Sequence, residues 1–347
     1  MGPSLDETPG HDFHCASTGF MQDLHGVGPG PAAPSRAAMM PDFCRVSDWE
    51  HTMRLSLGRD FVLLGVVAAS AAFAETVTID IPRIAGIENS AALTADLRLP
   101  EGSQGRVPAV VVLHAAGGID GASSSYVSTL NQAGMATLEV KMFARGGAIP
   151  FKDSLPYAYA SLAYLMKQPT VDPARIAILG FSYGGILAIL TASADETRTF
   201  APDGQRFAAH VSFYPICWIH EALSTGATDL RSDHTNRFLR GISAAGYQRM
   251  TGAPVLLLAG EKDQYDDADS CLRFVNGLPT DAKALYTVVV YPGAYHGWNA
   301  VEDRQINDPA AYKGRGGRVS QFGNKEISAK SRDDVLVFLK AKLASPR

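Results

Sequence analysis

The stretch Arg175-Ile-Ala-Ile-Leu-Gly-Phe-Ser-Tyr-Gly-Gly185 runs from an apolar segment into a glycine-rich turn and then into a helical pattern. It places the sequence G-x-S-x-G around Ser182, in the strand–turn–helix context of a nucleophile elbow. The central residue of such a turn takes a positive φ, and its neighbours two positions away must be small so that strand and helix approach closely. Gly180 and Gly184 meet that demand, although an ordinary glycine-rich turn is the alternative that the pentapeptide alone leaves open.

Strand and helix patterns alternate on both sides of this turn from residue 75 onward. Apolar runs and alternating patterns predict strands over 77–81, 92–99, 109–113, 136–142, 175–179, 208–214, 255–259 and 286–291. Helical periodicity predicts helices over 124–133, 154–166, 185–194, 267–275 and 331–343. Strands separated by helices of this length predict an α/β fold, with a mainly parallel, doubly wound sheet and helices on both faces.

A carboxylate and a histidine follow Ser182 in the order that a serine nucleophile on this fold requires. Asp263 lies just after the predicted strand 255–259, and His296 follows the predicted strand 286–291. Ligand sites of open α/β sheets lie at the carboxyl ends of the strands, so all three residues are expected at one edge. A serine hydroxyl needs a general base, and that base needs an orienting carboxylate. We therefore predict a triad of Ser182, His296 and Asp263.

Other acidic residues and histidines provide alternatives to these assignments. Glu261, Asp266 and Asp267 lie close enough to Asp263 for the sequence to leave them open as the orienting acid. His210 lies within a predicted strand and is interpreted as a core or edge residue. Two further pairs resemble metal ligands: His220 with Glu221, and Asp233 with His234. The distance in sequence between the two pairs fits no common metal-site motif, so we expect a solvated loop and no metal.

Acyl transfer also needs hydrogen-bond donors for the oxyanion that forms on the carbonyl group. The backbone N–H of Tyr183, directly after the nucleophile, is the expected first donor. The loop after the strand 109–113 should provide the second, from Ala116 or from the adjacent Ala115. His114, at the start of that loop, is interpreted as a structural hydrogen-bonding residue and not as a catalyst.

Composition excludes several other kinds of protein. The chain has 347 residues, with 31 basic and 35 acidic side chains, which gives no basic footprint for nucleic acid. Its 46% hydrophobic content is too high for a disordered chain, and no apolar run reaches the roughly 20 residues of a membrane-spanning helix. Four cysteines form neither a disulfide scaffold nor a zinc-site spacing. The expected partner is a small molecule, and the predicted triad needs no cofactor.

The first 74 residues differ from the rest of the chain. Residues 1–52 hold six Gly, six Pro and four His without lasting periodicity, so we predict disorder and, as a hypothesis, a translation start at Met53. Residues 53–74 show a basic start, an apolar run and an Ala-Phe-Ala ending, the three parts of a secretory signal peptide. A buried helix or a membrane anchor is the alternative. Cleavage near Ala74 would export a hydrolase-like domain of residues 75–347 with no stable membrane anchor.

That mature chain keeps two cysteines, Cys217 and Cys271. Since the strands 208–214 and 255–259 are predicted to be neighbours, the two sulfur atoms could come within bonding range, and an oxidising compartment would preserve a disulfide. Two independent buried thiols are the alternative. The segment 217–250, between the two strands, is longer than a usual connection and is expected to form part of the wall of a substrate pocket.

Several stretches resemble the dienelactone hydrolase family of α/β-hydrolases, over most of residues 75 to 345. The matching stretches are 113–118, 142–145, 180–185, 213–215, 259–263 and 291–297. The last, Tyr-Pro-Gly-Ala-Tyr-His-Gly, is fairly specific to this family. The resemblance implies the α/β-hydrolase fold and a serine-bearing, esterase-like branch of the family.

The chain also departs from the founding members of that family. Ser182 stands in place of their cysteine nucleophile, Ala115 replaces a glutamate of the oxyanion loop, and Asn299 and Ala300 stand where a second arginine is found. Arg145 matches the family's first substrate-carboxylate arginine, and a surface or salt-bridge arginine is the alternative. These departures argue against dienelactone itself as the substrate.

The sequence thus predicts an exported serine hydrolase of carboxylic esters or lactones, acting through an acyl-enzyme. Two alternatives remain open: a periplasmic binding protein that kept the fold and lost turnover, and a peptidase or acyltransferase on the same triad.

Overall fold

The computed structural model describes residues 74–88, 91–143, 147–227, 230 and 233–344. The predicted disordered extension 1–52 and the predicted signal peptide, apart from Ala74, lie outside these residues, and so does Arg145. Among the described residues, no helix combines the length and the apolar character that crossing a membrane requires.

Eight strands form the large sheet, and their bounds agree with the predicted strands to within a few residues at each end. The strands are β1 (Glu75–Asp80), β2 (Ala92–Arg98), β3 (Val107–Leu113), β4 (Ala136–Lys141), β5 (Val171–Phe181), β6 (Ala209–Phe213), β7 (Val255–Gly260) and β8 (Tyr286–Tyr291). Their order is β1-β2-β4-β3-β5-β6-β7-β8. Only the β1–β2 and β2–β4 pairs of this sheet are antiparallel, so the predicted mainly parallel α/β sheet is confirmed.

Helices cover both faces of this sheet. They are α1 (Ser124–Gln132), α2 (Phe151–Met166), α3 (Tyr183–Leu190), α4 (Ala194–Phe200), α5 (Cys217–Ser224), α6 (Asp233–Leu239), α7 (Ser270–Asn276), α8 (Thr280–Lys283) and α10 (Lys325–Lys342), with a 3-10 helix at Ala244–Tyr247. The short segment α9 (Ala311–Gly314) has two residues at positive φ and is a turn, not a regular helix. Alternate residues of the central strands point to opposite faces, which produces two cores. One core packs β3, β5 and β6 against α1 and α10, and the other packs the opposite face against α2, α3, α5 and α7.

The parallel arrangement sets the position of the site. Strands β3, β5, β7 and β8 are parallel members of the sheet, so their carboxyl ends meet at one edge. The oxyanion-loop residues, Ser182, Asp263 and His296 each follow one of these four strands. The prediction that they lie at a common edge is therefore confirmed.

Two parts of the chain differ from what the sequence patterns predicted. The first is a two-stranded antiparallel hairpin, β9 (Arg304–Asp308) with β10 (Gly317–Gln321), where the sequence patterns predict no element. The second is the segment 217–250, which contains α5, α6 and the 3-10 helix and is not a plain loop. Both lie near the carboxyl edge of the large sheet, and both contribute to the walls of the site described next.

Candidate active site

Ser182 occupies the elbow between β5 and α3. Its backbone has φ 49° and ψ −109°, outside the conformations that residues other than glycine ordinarily adopt. A Cβ atom on Gly180 would lie 2.0 Å from the Gly184 carbonyl oxygen, and one on Gly184 would lie 2.5 Å from the Leu113 carbonyl oxygen. Both positions therefore exclude any side chain, as the sequence pattern predicted.

The three predicted triad residues lie in direct hydrogen-bond contact. His296 Nε2 is 2.9 Å from Ser182 Oγ, and His296 Nδ1 is 2.7 Å from Asp263 Oδ2. The other carboxylate oxygen of Asp263 accepts the backbone N–H of Tyr265 at 2.9 Å. Because Nδ1–H donates to a carboxylate, Nε2 is left to accept the serine hydroxyl proton. The arrangement joins a nucleophile, a base and an orienting acid in that order.

The three other acidic residues of the loop have different partners. Glu261 accepts the backbone N–H of Gly293 at 2.7 Å, and Asp267 pairs with Lys313 at 2.5 Å. Asp266 accepts the backbone N–H groups of Cys217 and Trp218, at 2.6 and 2.7 Å, at the start of α5. The structure thus brings Asp263 to His296 and directs its three neighbours elsewhere.

Two tyrosine rings pack against His296. The ring centroids of Tyr214 and Tyr265 lie 4.7 and 4.5 Å from that of His296, which is itself buried. The Tyr214 hydroxyl donates to Asn299 Oδ1 at 2.6 Å, and Asn299 Nδ2 donates to the Ala122 carbonyl at 3.0 Å. The two rings thus pack on the imidazole, and the hydrogen-bond chain holds the Tyr214 ring beside it.

The oxyanion loop places the amide of Ala116 beside the serine. The Ala115 carbonyl oxygen accepts hydrogen bonds from the Gly118 N–H at 3.0 Å and from His114 Nδ1 at 2.7 Å. In a trans peptide the N–H points away from the carbonyl, so the Ala116 N–H is directed away from His114. Tyr183 opens α3, where the first amides have no partner within the helix. Ala116, Tyr183 and Ser182 line one cavity, the arrangement that two oxyanion donors need.

His114 fixes the conformation of this loop. Its Nε2 accepts the backbone N–H of Met142 at 3.1 Å, so Nδ1 carries the proton that is donated to Ala115. Burial lowers the pKa of His114 below its usual value, which favours the neutral ring that this pair of contacts requires. The contacts agree with the structural hydrogen-bonding role that we predicted for His114.

Left-handed backbone conformations cluster around the site. Among the described residues, five that are not glycine have a positive φ: Ser182, Tyr214, Ile216, Tyr312 and Lys313. The first three lie in or against the site, and the last two lie in the connection between β9 and β10. Such conformations cost on the order of 1 to 3 kcal/mol each and persist only where the surrounding packing imposes them.

Two cavities meet at Ser182. The larger, about 230 Å³, is lined by His296 and by polar side chains that include Asp120, Asn299 and Arg304. The smaller, about 90 Å³, is lined mainly by apolar side chains of α2, α3, α5 and α6 and the turns beside them. The prediction that the segment 217–250 helps to wall the pocket is confirmed for the smaller cavity, which Ile219 of α5 and Phe238 of α6 line.

The β9–β10 hairpin is attached to the loops that carry the site. Tyr265, two residues after Asp263, donates its hydroxyl to Asp308 at 2.7 Å. Gln264 accepts the backbone N–H of Tyr312 at its carbonyl, at 2.7 Å, and that of Ser320 at Oε1, at 3.1 Å. On the opposite side, Arg304 pairs with Asp120 of the oxyanion loop at 3.3 Å. The hairpin thus connects the loop that carries Asp263 to the oxyanion loop that follows β3.

Cys217 and Cys271 form a disulfide, with Cα atoms 4.9 Å apart and 54 residues between them in sequence. The bond joins the start of α5 to α7, and the Asp266 carboxylate lies beside it. Burial, reinforced by the nearby Asp263 charge, raises the pKa of Asp266 to about 8. The pairing that the sequence suggested is present, and the alternative of two separate thiols is not what the structure shows.

The remaining predicted residues have structural contacts. His210 is fully buried in β6, and burial lowers its pKa to about 4, as a core position implies. The expectation of a solvated loop around His220 was wrong: His220 is buried in α5, where Nδ1 lies 2.8 Å from the Tyr247 hydroxyl. Within the described ranges, the only cluster of three metal-ligand residues is Cys217, Asp266 and Cys271, whose sulfur atoms form the disulfide.

Sequence reasoning missed several residues of the site. Tyr265 had a usable signal, because an Asp side chain often accepts the amide two residues onward, and Asp263 does so here. Tyr214 lies in a stretch that matches the family, and Asn299 stands where the chain departs from it. No sequence pattern indicated that these two side chains contact each other. Arg304 had no signal, since it enters the larger cavity from a hairpin that was not predicted.

One family model and several solved structures are similar to this chain. The model of the dienelactone hydrolase family matches residues 93–325. Est1E from Butyrivibrio proteoclasticus, solved with ferulic acid bound, is 18% identical with a TM-score of 0.54, over 78% of this chain and 100% of that one. The thermophilic esterase of Thermogutta terrifontis, with propionate bound, is 16% identical with a TM-score of 0.54, over 80% and 96%.

A third similar structure is a dienelactone hydrolase-like promiscuous phosphotriesterase from metagenomic libraries. It is 18% identical with a TM-score of 0.51, over 79% of this chain and 100% of that one. Identities this low establish a shared fold only. A search of the curated proteins gives no match.

Proposed function

The chain belongs to the dienelactone hydrolase family, and from this membership and the site geometry we propose that it hydrolyses carboxylic esters or lactones through an acyl-enzyme on Ser182. The single observation that carries the proposal is the hydrogen-bonded series Ser182 Oγ, His296 Nε2, His296 Nδ1 and Asp263 Oδ2, at 2.9 and 2.7 Å. A family of hydrolases supplies the reaction class, and the triad supplies the nucleophile.

In the proposed first step, Ser182 Oγ attacks the carbonyl carbon while His296 Nε2 takes the hydroxyl proton. The buried Asp263 carboxylate stabilises the imidazolium that forms and keeps the proton on Nδ1. The negative charge that develops on the carbonyl oxygen is held by the N–H groups of Ala116 and Tyr183. His296 then gives its proton to the departing alcohol oxygen, and the acyl-enzyme remains.

In the second step a water molecule attacks the acyl-enzyme, with His296 acting again as the base. The reaction releases the carboxylic acid and restores the serine. The sequence of bonds made and broken requires only the substrate, water and the chain's own residues. The same steps open a lactone, in which case the alcohol and the acid leave as one molecule.

We also propose that the protein is exported. The pattern of residues 53–74 supports this proposal, and so does the Cys217–Cys271 disulfide, because such bonds persist in oxidising compartments. The test is the N-terminus of the protein recovered from outside the cytoplasm: cleavage near Ala74 supports export. A full-length chain found only inside the cell contradicts it.

Covalent labelling tests the enzymatic proposal. A fluorophosphonate probe should modify the wild-type chain at Ser182, and Ser182→Ala should lose both labelling and ester hydrolysis, by several orders of magnitude in kcat. Ser128→Ala is the matched control, because Ser128 is exposed on α1 and away from the site. Its labelling and activity should equal those of wild type. Wild-type protein that is folded and unlabelled would support the binding-protein alternative.

A further inference from the structure

We propose that the two cavities divide the substrate between them, so that the smaller cavity takes the acyl group of an ester and the larger takes its alcohol group. The substrate class that follows is an ester of a short, apolar acyl group with a polar, uncharged alcohol. The inference rests on the proposed function, since it assigns the two halves of the substrate of the same Ser182 site.

The position of His296 assigns the alcohol group. His296 lines the larger cavity, and among the described residues it is not part of the wall of the smaller one. The departing alcohol oxygen takes its proton from His296 Nε2, so it must lie within hydrogen-bond distance of that atom. The alcohol group therefore extends into the larger cavity.

The oxyanion donors then assign the acyl group. Tyr183 lines the smaller cavity, and Ala116 and Ser182 line both. The tetrahedral carbon is bonded to Ser182 Oγ, its oxyanion points to the N–H groups of Ala116 and Tyr183, and its alcohol oxygen points to His296, so one substituent remains. That substituent, the acyl chain, faces the smaller cavity.

The walls of the smaller cavity select for an apolar chain. Phe151, Ile186, Ile216, Ile219 and Phe238 contribute most of its apolar side chains. Burial of each methylene group of a substrate against these side chains favours binding of an apolar chain. The polar residues of this wall include Asp308, so a carboxylate on the acyl group would lose its hydration there and also meet a second carboxylate. The volume of about 90 Å³, against about 230 Å³ for the larger cavity, favours a short chain.

The walls of the larger cavity select for a polar, uncharged alcohol. The Arg304 guanidinium pairs with Asp120 at 3.3 Å and also donates to Gln321. Asp308 lines this cavity as well as the smaller one, so one cationic and two anionic side chains of the described residues, Arg304 with Asp120 and Asp308, face the larger cavity. An anionic alcohol group would meet these carboxylates, whereas hydroxyl groups can bond to Asn299, Gln321 and Arg304.

Two substitutions in the smaller cavity test the assignment in opposite directions. Phe238→Ala enlarges the cavity and should raise kcat/KM for p-nitrophenyl octanoate relative to the acetate by about tenfold. Ala148→Leu fills it and should shift the preference toward the acetate by a similar factor. Neither should alter the ratio of rates for glycerol and methyl esters of one acid. The matched variant Arg304→Gln should do the reverse, changing that ratio and leaving the chain-length profile unchanged.

Each outcome bears on one of the two proposals. A chain-length profile that moves as stated, with an unchanged alcohol ratio, supports the assignment. If Phe238→Ala or Ala148→Leu changes the alcohol ratio and leaves the chain-length profile as in wild type, the assignment is overturned. In another outcome, all variants that keep fluorophosphonate labelling at Ser182 also keep the wild-type dependence of rate on acyl chain length. That result overturns the cavity assignment, while the proposed function stands. A wild-type chain that is folded but not labelled overturns both.

Discussion

Ser182, Asp263 and His296 each follow a strand of the large sheet, whereas the walls of the two cavities come in large part from the β9–β10 hairpin and from α5 and α6, outside that sheet. The three residues are positioned by the backbone hydrogen bonds between the strands and by the two buried cores on the faces of the sheet. The walls are held by side-chain contacts: the disulfide, the Tyr265–Asp308 hydrogen bond and the Arg304–Asp120 pair. The comparison teaches that the proposed catalytic residues and the cavity walls have separate structural supports, and so can be altered separately.

The largest effect is expected from Asp263→Asn, which acts on the sheet-supported group. An amide in place of the carboxylate favours the wrong histidine tautomer, and kcat should fall by about 10³- to 10⁴-fold with little change in melting temperature. Asp267→Asn is the matched control, since Asp267 pairs with Lys313 and Arg273 and lies outside the triad. Steady-state hydrolysis of one p-nitrophenyl ester measures both. Loss of less than tenfold would remove Asp263 from the proposed triad.

The next effect comes from the disulfide, which supports the walls. The double variant Cys217→Ala with Cys271→Ala releases a loop of 54 residues, and chain entropy assigns about 4 kcal/mol to its closure. The melting temperature should fall by roughly 10 °C, while the probe still labels Ser182. Wild-type protein melted with and without a reductant is the companion measurement. Equal melting temperatures in all these samples would show that the bond stabilises nothing.

Asp266→Asn should change how stability depends on pH. The folded-state pKa of Asp266, about 8, lies above the unfolded value of a carboxyl group, so its contribution is fully present below about pH 4 and is lost as the pH rises through about 8. Wild type should therefore lose on the order of 3 to 4 kcal/mol relative to the variant between pH 5 and 8. Urea unfolding across that range measures the difference, and two parallel curves would contradict the raised pKa.

The smallest effect is expected from Tyr265→Phe, which removes one link between the two groups. The ring that packs on His296 remains, and only the hydroxyl bond to Asp308 is lost. Such a bond contributes about 1 to 2 kcal/mol, so β9 should exchange its amide hydrogens faster while kcat changes by less than about tenfold. Tyr312→Phe, on the exposed connection of the hairpin, is the control. A larger loss of kcat than for Asp263→Asn would contradict the separation of supports.

The same division explains which parts of the molecule could be predicted from sequence. Strands such as Val107–Leu113 and Val255–Gly260 are buried on both faces, so their apolar runs reveal them directly. The elbow is equally local, because Gly180 and Gly184 satisfy a steric demand within five residues. Since parallel strands end at a common edge, these local signals were sufficient to bring Ser182, Asp263 and His296 together.

The hairpin could not be predicted in this way. Strand β9 is exposed along almost its whole length, so it shows no alternation of apolar and polar residues. The connection between β9 and β10 turns through Tyr312 and Lys313 in left-handed conformations, which those residue types do not indicate. Its position depends on contacts with Gln264, Tyr265 and Asp120, more than 35 residues away in the chain, and no local pattern records them.

The chain order of the site also determines when the molecule can first react during its synthesis. Ser182 is made 114 residues before His296, which at ribosomal rates of about 5 to 20 residues per second is an interval of roughly 6 to 23 s. During that interval the nascent chain carries the serine without its base, so the hydroxyl is no better a nucleophile than that of any other serine. The β9–β10 hairpin, which walls the larger cavity, is made later still. In the proposed mechanism, a chain released before His296 is made therefore lacks the base and cannot hydrolyse an ester.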